Sequence, residues 1–190
     1  QNADMAVKLQ AEYPRATIRL IPNWVDTDLF HPGPPGLYRV SRRVLYVGRL
    51  VEEKNLRTLA LACRAAEAEL VCAGEGPLID EIRSLRGIML RAVPWSSLPT
   101  LHRGADIFAM VSHTEGHCKA LAEAMASGLP CVVSKAVTEG MIAGQNCLQV
   151  EPTETSITLA LEVLLTDPGF AAKLGTGARA TAVQLWSKQT

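Results

Sequence analysis

The amino-acid sequence predicts an α/β fold: a Rossmann-like parallel sheet with helices on both faces. Between Ser41 and Val150, short apolar segments alternate with segments of helical pattern, the order typical of βα units. The apolar segments are rich in Val, Ile, Leu and Cys and alternate little with polar residues, as expected of strands that are buried on both faces. With 190 residues the chain is long enough for one well-packed domain, and a second full domain is not expected.

Six segments have the composition of buried strands. They are residues 43–48 (RVLYVG), 68–74 (AELVCAG), 87–93 (GIMLRAV), 106–111 (DIFAMV), 130–134 (PCVVS) and 147–150 (CLQV). The gaps between these segments leave room for crossover helices or tight connections, as a parallel sheet requires.

Helices are predicted in the gaps and after the last strand. The first begins at Asn55, which we expect to be its N-cap, and runs to about Glu67. The next opens at Pro77, because the fixed φ of proline suits the first helical position. Three further helical segments are predicted over residues 96–104, 153–168 and 170–190.

The first 36 residues differ in kind from the rest of the chain. The segment TIRLIP (17–22) has the pattern of a strand, and the following stretch is dense in proline and glycine, which is typical of a linker. We therefore expect residues 1–36 to be the remnant of a preceding domain with an interdomain linker. The Rossmann-like domain is expected to occupy residues 37–169.

Composition excludes several function classes. Lys+Arg and Asp+Glu are equal at 19 each, so neither a nucleic-acid partner nor a disordered chain is expected. No segment approaches the roughly 18–20 consecutive apolar residues of a membrane span, and the first residues lack the pattern of a signal peptide. The five cysteines are widely spaced, which predicts mostly buried thiols in a reducing, cytoplasmic compartment.

No metal site is predicted. The cysteines and histidines lack the spacing of zinc ligands. Asp26 and Asp28 form a D-x-D pair of the kind that can hold a divalent cation, but they lie in the proline-rich linker, where no strand brings them to a cleft.

Candidate ligand-binding residues lie in the loops that follow the strands, since ligands of open parallel sheets bind beyond the carboxyl ends of the strands. Arg49 and Lys54 flank the loop after the first strand and offer two cations to one anion, for which a diphosphate is suitable. Alternatively, Arg49 pairs with Glu52 or Glu53 at the surface, which contributes under about 1 kcal/mol. The spacing leaves both interpretations open.

Two glycine-containing loops and one helix start extend this candidate site. Gly48, Gly74 and Gly76 permit close approach of the backbone to a ligand, but a tight turn without a ligand has the same sequence. The helix that follows Gly116 offers unpaired amides, which favour phosphate binding.

Two carboxylates stand eight residues apart around this helix. Glu115 precedes the helix, where an acidic side chain is favourable by about 0.3–1 kcal/mol without any function. Glu123 lies roughly opposite the apolar face of the helix, so it is free to face solvent or a cleft. The pair is therefore either one helix-start acid and one solvated acid, or two acceptors for the hydroxyls of one polar ligand.

Six blocks of sequence, taken together, resemble the C-terminal, donor-binding domain of retaining glycosyltransferases of the GT-B fold, family 4. The blocks are IPNWVDTDLFHP, VLYVGRLVEEKN, VCAGEGP, LPTLHRGADIFAMVSHTEG, EGHCKALAEAMASGLPCVVS and GQNCLQVEP, in the order and approximate spacing of that family. The resemblance covers nearly the whole chain. It implies a domain that binds a nucleotide-sugar without a metal ion or other cofactor.

The resemblance also implies a role for each candidate residue. Arg49 and Lys54 would hold the diphosphate and neutralise the leaving group, and Glu115 would bind and position the sugar ring. Glu123, the second acid of the family's E-x7-E pattern, would bind the ribose hydroxyls. Further donor contacts are implied for Gly48, Gly74, Gly76, Arg91, Ala92, Val93, Gly116, His117, Cys118, Lys119, Ala120 and Leu121, with residues 91–93 meeting the base and the amides of 117–121 meeting sugar and phosphate.

The sequence departs from the family pattern at several positions. His117-Cys118-Lys119 replaces the usual Phe-Gly or Phe-Pro, Arg91 replaces a common glycine, and Cys147 stands where a glycine is expected. These departures leave the choice of base and the contacts around the sugar open, but they remove no implied phosphate ligand.

By resemblance, the partners are a nucleotide-sugar, an unidentified acceptor and an N-terminal domain. Residues 170–190 resemble the helix that crosses towards that domain, and the resemblance leaves room for peripheral membrane association of the full enzyme. The expected function is transfer of a hexose from a nucleoside diphosphate with retention, and the chain alone is expected to transfer little or no sugar. The alternative is a non-catalytic Rossmann-like module that binds a nucleotide or a protein. A dinucleotide enzyme is disfavoured, because no G-x-G-x-x-G follows the first strand.

Overall fold

The structure, a computed structural model, describes residues 2–18, 24–33, 42–90, 93–116 and 118–188. Within these residues, all six predicted strands are present. They are β1 (Arg43–Val47), β2 (Glu69–Ala73), β3 (Ile88–Leu90), β4 (Ile107–Met110), β5 (Cys131–Ser134) and β6 (Leu148–Val150). They form one parallel sheet in the order β3-β2-β1-β4-β5-β6, so the predicted fold class is confirmed.

The predicted helices are also present. The helices are α1 (Asn2–Glu12), α2 (Leu56–Ala65), α3 (Ile79–Ser84), α4 (Leu98–Arg103), α5 (Lys119–Ala126), α6 (Glu154–Thr166) and α7 (Pro168–Trp186), with short 3₁₀ helices at Glu52–Lys54 and Trp95–Ser97. The start of α6 is as expected, because Thr153 is its N-cap and accepts a hydrogen bond from the amide of Ser156. The start of α3 is two residues later than Pro77.

Asn55 stands at the N-cap position of α2, but its side chain does not cap the helix. Its backbone is left-handed, with φ of 55°. The Asn55 amide nitrogen donates to the carbonyl of Pro152 at 3.0 Å, and its oxygen accepts from the Thr58 hydroxyl at 2.6 Å. Asn55 therefore ties the β1–α2 connection to the segment before α6.

The sheet forms the centre of the core. Tyr46 and Phe108 are fully buried on the adjacent strands β1 and β4, and the apolar faces of α2, α5, α6 and α7 cover the sheet. The strand order reverses between β1 and β4, since β2 and β3 follow on one side and β5 and β6 on the other. In folds of this type, ligands bind in the crevice at the carboxyl ends of the strands at this reversal.

Residues 24–30 are held against the end of α7. The amide of Val25 donates to the carbonyl of Trp186 at 2.7 Å. The Arg179 guanidinium donates to the carbonyls of Phe30 (2.7 Å), Thr27 (3.0 Å) and Ala126 (2.6 Å), the last of these in α5. One arginine thus joins this segment to two helices of the domain.

Two predictions about the first 36 residues bear on this region. The predicted strand 17–22 and the proline-rich end of the linker fall mostly on residues 19–23 and 34–36, which lie outside the described residues. Asp26 closes a turn, since its Oδ1 accepts from the amides of Asp28 and Leu29, and it pairs with Lys188. Among the described residues no helix is long and apolar enough to cross a bilayer.

Candidate active site

The loops after β1 and β4 meet at the carboxyl edge of the sheet, where the strand order reverses. The amide of His113 donates to the carbonyl of Glu53 at 2.9 Å, which joins the two loops through their backbones. Lys54 Nζ lies 2.5 Å from Glu115 Oε2, so the same loops are also joined by an ion pair. The fold therefore brings Lys54 and Glu115 together, although they are 61 positions apart in the sequence.

Glu115 is fixed by a second donor. The Ser112 hydroxyl lies 3.2 Å from Glu115 Oε2, and the Ser112 carbonyl accepts from the Ser134 hydroxyl on β5 at 2.6 Å. The side chains of Lys54 and Glu115 are 14% and 10% exposed, so water screens this pair less than it screens a surface pair. Sequence reasoning missed Ser112 and Ser134, because a serine at the end of a strand carries no distinguishing signal.

Arg49 is exposed on the β1 loop, and the suggested surface pairing with Glu52 or Glu53 is not formed. Glu52 pairs with Arg57 at 2.9 Å, and Arg57 also binds Glu81. Within the described ranges, the Arg49 guanidinium has no ion-pair or hydrogen-bond partner. A cation that is not engaged by protein remains available to an anionic ligand.

The Tyr46 hydroxyl lies beneath the β1 loop and contacts its backbone. Its hydroxyl is buried and donates to the carbonyl of Arg49 at 2.8 Å. Burial raises the pKa of Tyr46 well above its usual value, and the nearby Cys118 and Glu115 add to this effect while Arg49 opposes it. The hydroxyl thus stays a neutral donor, within electrostatic range of the β1 loop and of the start of α5.

Backbone conformation and packing require glycine at three positions of the β1 and β2 loops, without any ligand. Gly48, Gly74 and Gly76 all have φ near +150°. A Cβ on Gly74 would lie 2.0 Å from the Gly48 carbonyl oxygen, and one on Gly76 would lie 2.3 Å from that of Leu50. The two loops therefore pack backbone against backbone, which explains the glycines without a ligand, so their contact with a donor stays a prediction.

The start of α5 is partly closed by its own cap. Cys118 is the N-cap, and its Sγ accepts from the amide of Leu121 at 3.4 Å. Burial raises the pKa of Cys118 to about 12, so the side chain is a thiol. The amide of Leu121 is therefore engaged by sulfur. Gly116 and Lys119 are exposed and Ala120 is half-buried at the same helix start.

Three candidate residues, Arg91, Ala92 and His117, lie outside the described residues. Val93 is half-buried and directly precedes the Pro94–Trp95 turn. The predicted contacts of residues 91–93 with a base and of His117 with a sugar therefore stay predictions.

Of the two orientations that the sequence leaves open for Glu123, solvent or a cleft, exposure to solvent is not the one observed. Glu123 is 3% exposed, and the indole of Trp95 contacts it on the side of α5 that the helical pattern leaves polar. Trp95 Nε1 donates to Glu123 Oε1 at 3.2 Å. Burial raises the pKa of Glu123, while the hydrogen bond from Trp95 and the charge of Lys119 lower it. The sequence signal for this contact is the position of Trp95 after β3, at the same sheet edge as the start of α5.

A cavity of about 550 Å³ lies elsewhere, at the opposite edge of the sheet. It is bordered by Ala105 and Asp106 before β4, by Leu129 and Pro130 before β5, and by one side of α7. Arg49, Lys54, Glu115 and Glu123 are absent from its lining. Among the described residues, no group of three His, Cys, Asp or Glu side chains is arranged to hold a metal ion.

Comparison with known proteins decides the family. Residues 41–167 match the model of the glycosyl transferases group 1 family. The chain belongs to this family. Group 1 glycosyltransferases are retaining enzymes that use nucleotide-sugar donors, and the fold described above is that of the C-terminal domain of their GT-B architecture.

Two curated relatives of this glycosyltransferase domain have names that state their donor. The GDP-mannose-dependent alpha-(1-6)-phosphatidylinositol monomannoside mannosyltransferase of Mycolicibacterium smegmatis is 29% identical over 93% of the chain and 54% of the relative. The UDP-Gal:alpha-D-GlcNAc-diphosphoundecaprenol alpha-1,3-galactosyltransferase of Escherichia coli is 30% identical over 69% of the chain and 38% of the relative. The chain thus spans about half the length, or less, of these relatives.

Solved structures agree on the fold. The C-terminal domain of a glycosyl transferase group 1 family protein from Francisella tularensis superposes with a TM-score of 0.74 at 22% identity, covering 87% of this chain and all of that one. Sucrose-phosphate synthase from Thermosynechococcus elongatus gives a TM-score of 0.80 at 22% identity, covering 97% of this chain and 53% of that one.

Proposed function

We propose that this glycosyltransferase domain binds a nucleoside diphosphate hexose and supports transfer of the hexose with retention of configuration, without a metal ion. The observation that carries the proposal is the Lys54–Glu115 ion pair that joins the β1 and β4 loops, with the exposed Arg49 on the same loop as Lys54. A cation and a carboxylate side by side at the reversal of strand order suit the two ends of such a donor, its diphosphate and its hydroxyl-rich sugar.

In this mechanism Arg49 and Lys54 stabilise the charge that grows on the leaving diphosphate as the glycosidic bond breaks. The start of α5, apart from the Leu121 amide that Cys118 engages, adds partial positive charge at the same place. Glu115 accepts hydrogen bonds from sugar hydroxyls and positions the ring, and Glu123 accepts those of the ribose. Because two protein cations neutralise the diphosphate, a divalent ion is not required.

The names of the relatives support a nucleoside diphosphate hexose as the donor class, since one names GDP-mannose and another UDP-Gal. The acceptor site is proposed to lie on a preceding domain. Residues 1–36 then belong to that domain and its linker, and the segment after residue 169 crosses back towards it. On this proposal the chain alone binds donor weakly and transfers little or no sugar.

Calorimetric titration with GDP, UDP and ADP, and with their hexose derivatives, in the presence of EDTA tests the donor assignment. We expect one nucleoside diphosphate to bind, and Arg49→Ala and Lys54→Ala each to weaken binding by about tenfold, the loss of about 1.4 kcal/mol that one charge-assisted hydrogen bond contributes. Arg83→Ala and Lys135→Ala are matched controls, because these cations form exposed ion pairs with Asp80 and Glu151 and belong to neither the β1 loop nor the β4 loop. Unchanged affinity in both Arg49→Ala and Lys54→Ala would contradict the assignment.

A further inference from the structure

We propose that Trp95 forms part of the nucleoside subsite, where its indole N–H orients the Glu123 carboxylate and its partly exposed ring contacts the nucleobase. This inference rests on the proposed function and adds to it a residue that contacts the base.

The first observation is the contact between Trp95 and Glu123. Trp95 begins the 3₁₀ helix Trp95–Ser97, which follows β3 at the carboxyl edge of the sheet, and its Nε1 lies 3.2 Å from Glu123 Oε1. A buried carboxylate is costly unless it is hydrogen-bonded, and Glu123 is 3% exposed. The indole N–H is a donor only, so it holds Oε1 in one orientation and leaves the other carboxylate oxygen to accept from a ligand.

The second observation is the state of the ring. Trp95 is 47% exposed, although its N–H is engaged. The Phe30 ring meets it edge-on, with 5.8 Å between centroids and 64° between planes, and Lys119 Nζ lies 5.7 Å from its centroid. Phe30 and Lys119 thus contact the indole, while about half of the residue is exposed to solvent.

Together these groups match the chemistry of a nucleoside. Stacking of an aromatic side chain on a base contributes about 1–3 kcal/mol per base and depends little on which base it is. The adjacent carboxylate accepts from vicinal hydroxyls, which the ribose carries next to its base. A sugar acceptor would engage the carboxylate but would present no planar π-system to the indole, so the observations favour the nucleoside.

The test combines calorimetric titration with tryptophan fluorescence, both on the full 190-residue chain. The probes are the nucleoside diphosphate that the parent binds and ribose 5-phosphate, which has the same hydroxyls but no base. The variants are Trp95→Ala and Trp95→Phe, the latter keeping a ring face but losing the N–H. Trp24→Phe is the matched control, because Trp24 is similarly exposed (50%) but contacts Lys188 and not Glu123.

We expect Trp95→Ala to weaken nucleoside diphosphate binding by about 5- to 150-fold, the stacking range given above, and Trp95→Phe to weaken it less. Ribose 5-phosphate should lose affinity in both variants, because both remove the donor to Glu123. Quenching of fluorescence by the nucleotide should persist in Trp24→Phe and disappear in Trp95→Phe.

Parent-like nucleotide affinity in Trp95→Ala, or quenching that persists in Trp95→Phe, would overturn the assignment of Trp95 while leaving the proposed function intact. If the parent binds no nucleoside diphosphate, the proposed function is wrong and the assignment of Trp95 is wrong with it. Thermal melting of each variant shows whether it is folded. If Trp95→Ala does not fold, the fluorescence and the nucleotide affinity of Trp95→Phe test the assignment.

Discussion

Lys54 and Glu115 neutralise one another across the β1/β4 crevice, with Nζ and Oε2 2.5 Å apart and both side chains largely shielded from water. The cation that we assign to the diphosphate is therefore engaged by the carboxylate that we assign to the sugar. A donor that binds here must redirect Lys54 towards phosphate and Glu115 towards sugar hydroxyls.

This competition predicts an unusual result for Glu115→Gln. Removing the carboxylate frees Lys54, so we expect affinity for the nucleoside diphosphate to rise by up to about fivefold, corresponding to about 1 kcal/mol. The preference for the nucleotide-sugar over the nucleotide should fall, because the sugar loses its charged acceptor. Calorimetry with both ligands measures the two effects.

Glu52→Gln is the control for Glu115→Gln, since Glu52 belongs to the same loop region as Lys54 but pairs with the exposed Arg57. Weaker nucleotide binding in Glu115→Gln would show that Glu115 assists the diphosphate site instead of competing with it.

Gly74→Ala should destabilise the fold whether or not the domain binds a ligand. The new Cβ would lie 2.0 Å from the Gly48 carbonyl oxygen, at a φ of +151° that side chains rarely adopt. We expect the free energy of unfolding to fall by about 3 kcal/mol or more in urea titrations. Gly169→Ala at the start of α7 is the control, because its Cβ would meet only Asp167 Oδ1 at 3.4 Å, and alanine in a helix is favoured by roughly 0.5–1 kcal/mol. Equal effects of the two substitutions would contradict loop packing as the reason for Gly74.

The strands and their fold class could be predicted because each strand is buried on both faces, which leaves a continuous apolar segment in the sequence. Lys54 and Glu115 could be expected near each other, because both follow strands that end at the same edge of the sheet. The order β3-β2-β1-β4-β5-β6, which makes these two loops neighbours, is a property of the whole sheet and is not written in any one segment.

Glu123 shows why the rest could not be predicted. A helical pattern separates the apolar face of α5 from the opposite face, but it does not tell what covers the opposite face. Here the cover is Trp95, which is 28 positions away. Asn55 is a similar case, since its residue type predicts a cap, whereas its left-handed backbone directs the side chain to Pro152.

Cys118 is predicted to be the cysteine that reacts first in the folded chain, and to react slowly. All five cysteines lie in the described residues, and Cys63, Cys72, Cys131 and Cys147 are buried, whereas Cys118 is partly exposed. Because burial raises the pKa of Cys118 to about 12, little thiolate is present at neutral pH. Iodoacetamide labelling followed by peptide mass mapping should find one slowly modified site, with a rate that increases with pH.

If the start of α5 binds the donor, the nucleoside diphosphate should also slow the alkylation of Cys118, since Cys118 caps that helix. Cys118→Ser should abolish native labelling. Rapid modification of several cysteines in the folded chain would contradict the burial described here. Labelling of Cys118 at the same rate with saturating nucleotide would place the ligand away from the helix start.

His102 should make the domain less stable in mild acid. It is fully buried in α4, stacks on Phe108 and donates from Nδ1 to the carbonyl of Leu98 at 2.8 Å. Within the described residues its Nε2 makes no hydrogen bond, so an added proton would charge a ring that is buried in the core. Burial lowers the pKa of His102 from 6.5 to about 4, although the backbone of Leu98 and of Ala120 favours the protonated ring.

The sign follows from proton uptake by the unfolded chain. Above pH 6.5 the imidazole is neutral in both states and has no effect on the pH dependence. Between pH 6.5 and 4 the unfolded state binds a proton that the folded state does not, so the free energy of unfolding should fall by up to about 3 kcal/mol. Urea titrations at pH 7.5 and 4.5 should show this loss in the parent and in His113→Ala, whose histidine is exposed. In His102→Phe, which keeps a ring against Phe108, the loss should shrink by most of that amount, and an unchanged pH dependence would show that His102 is not its source.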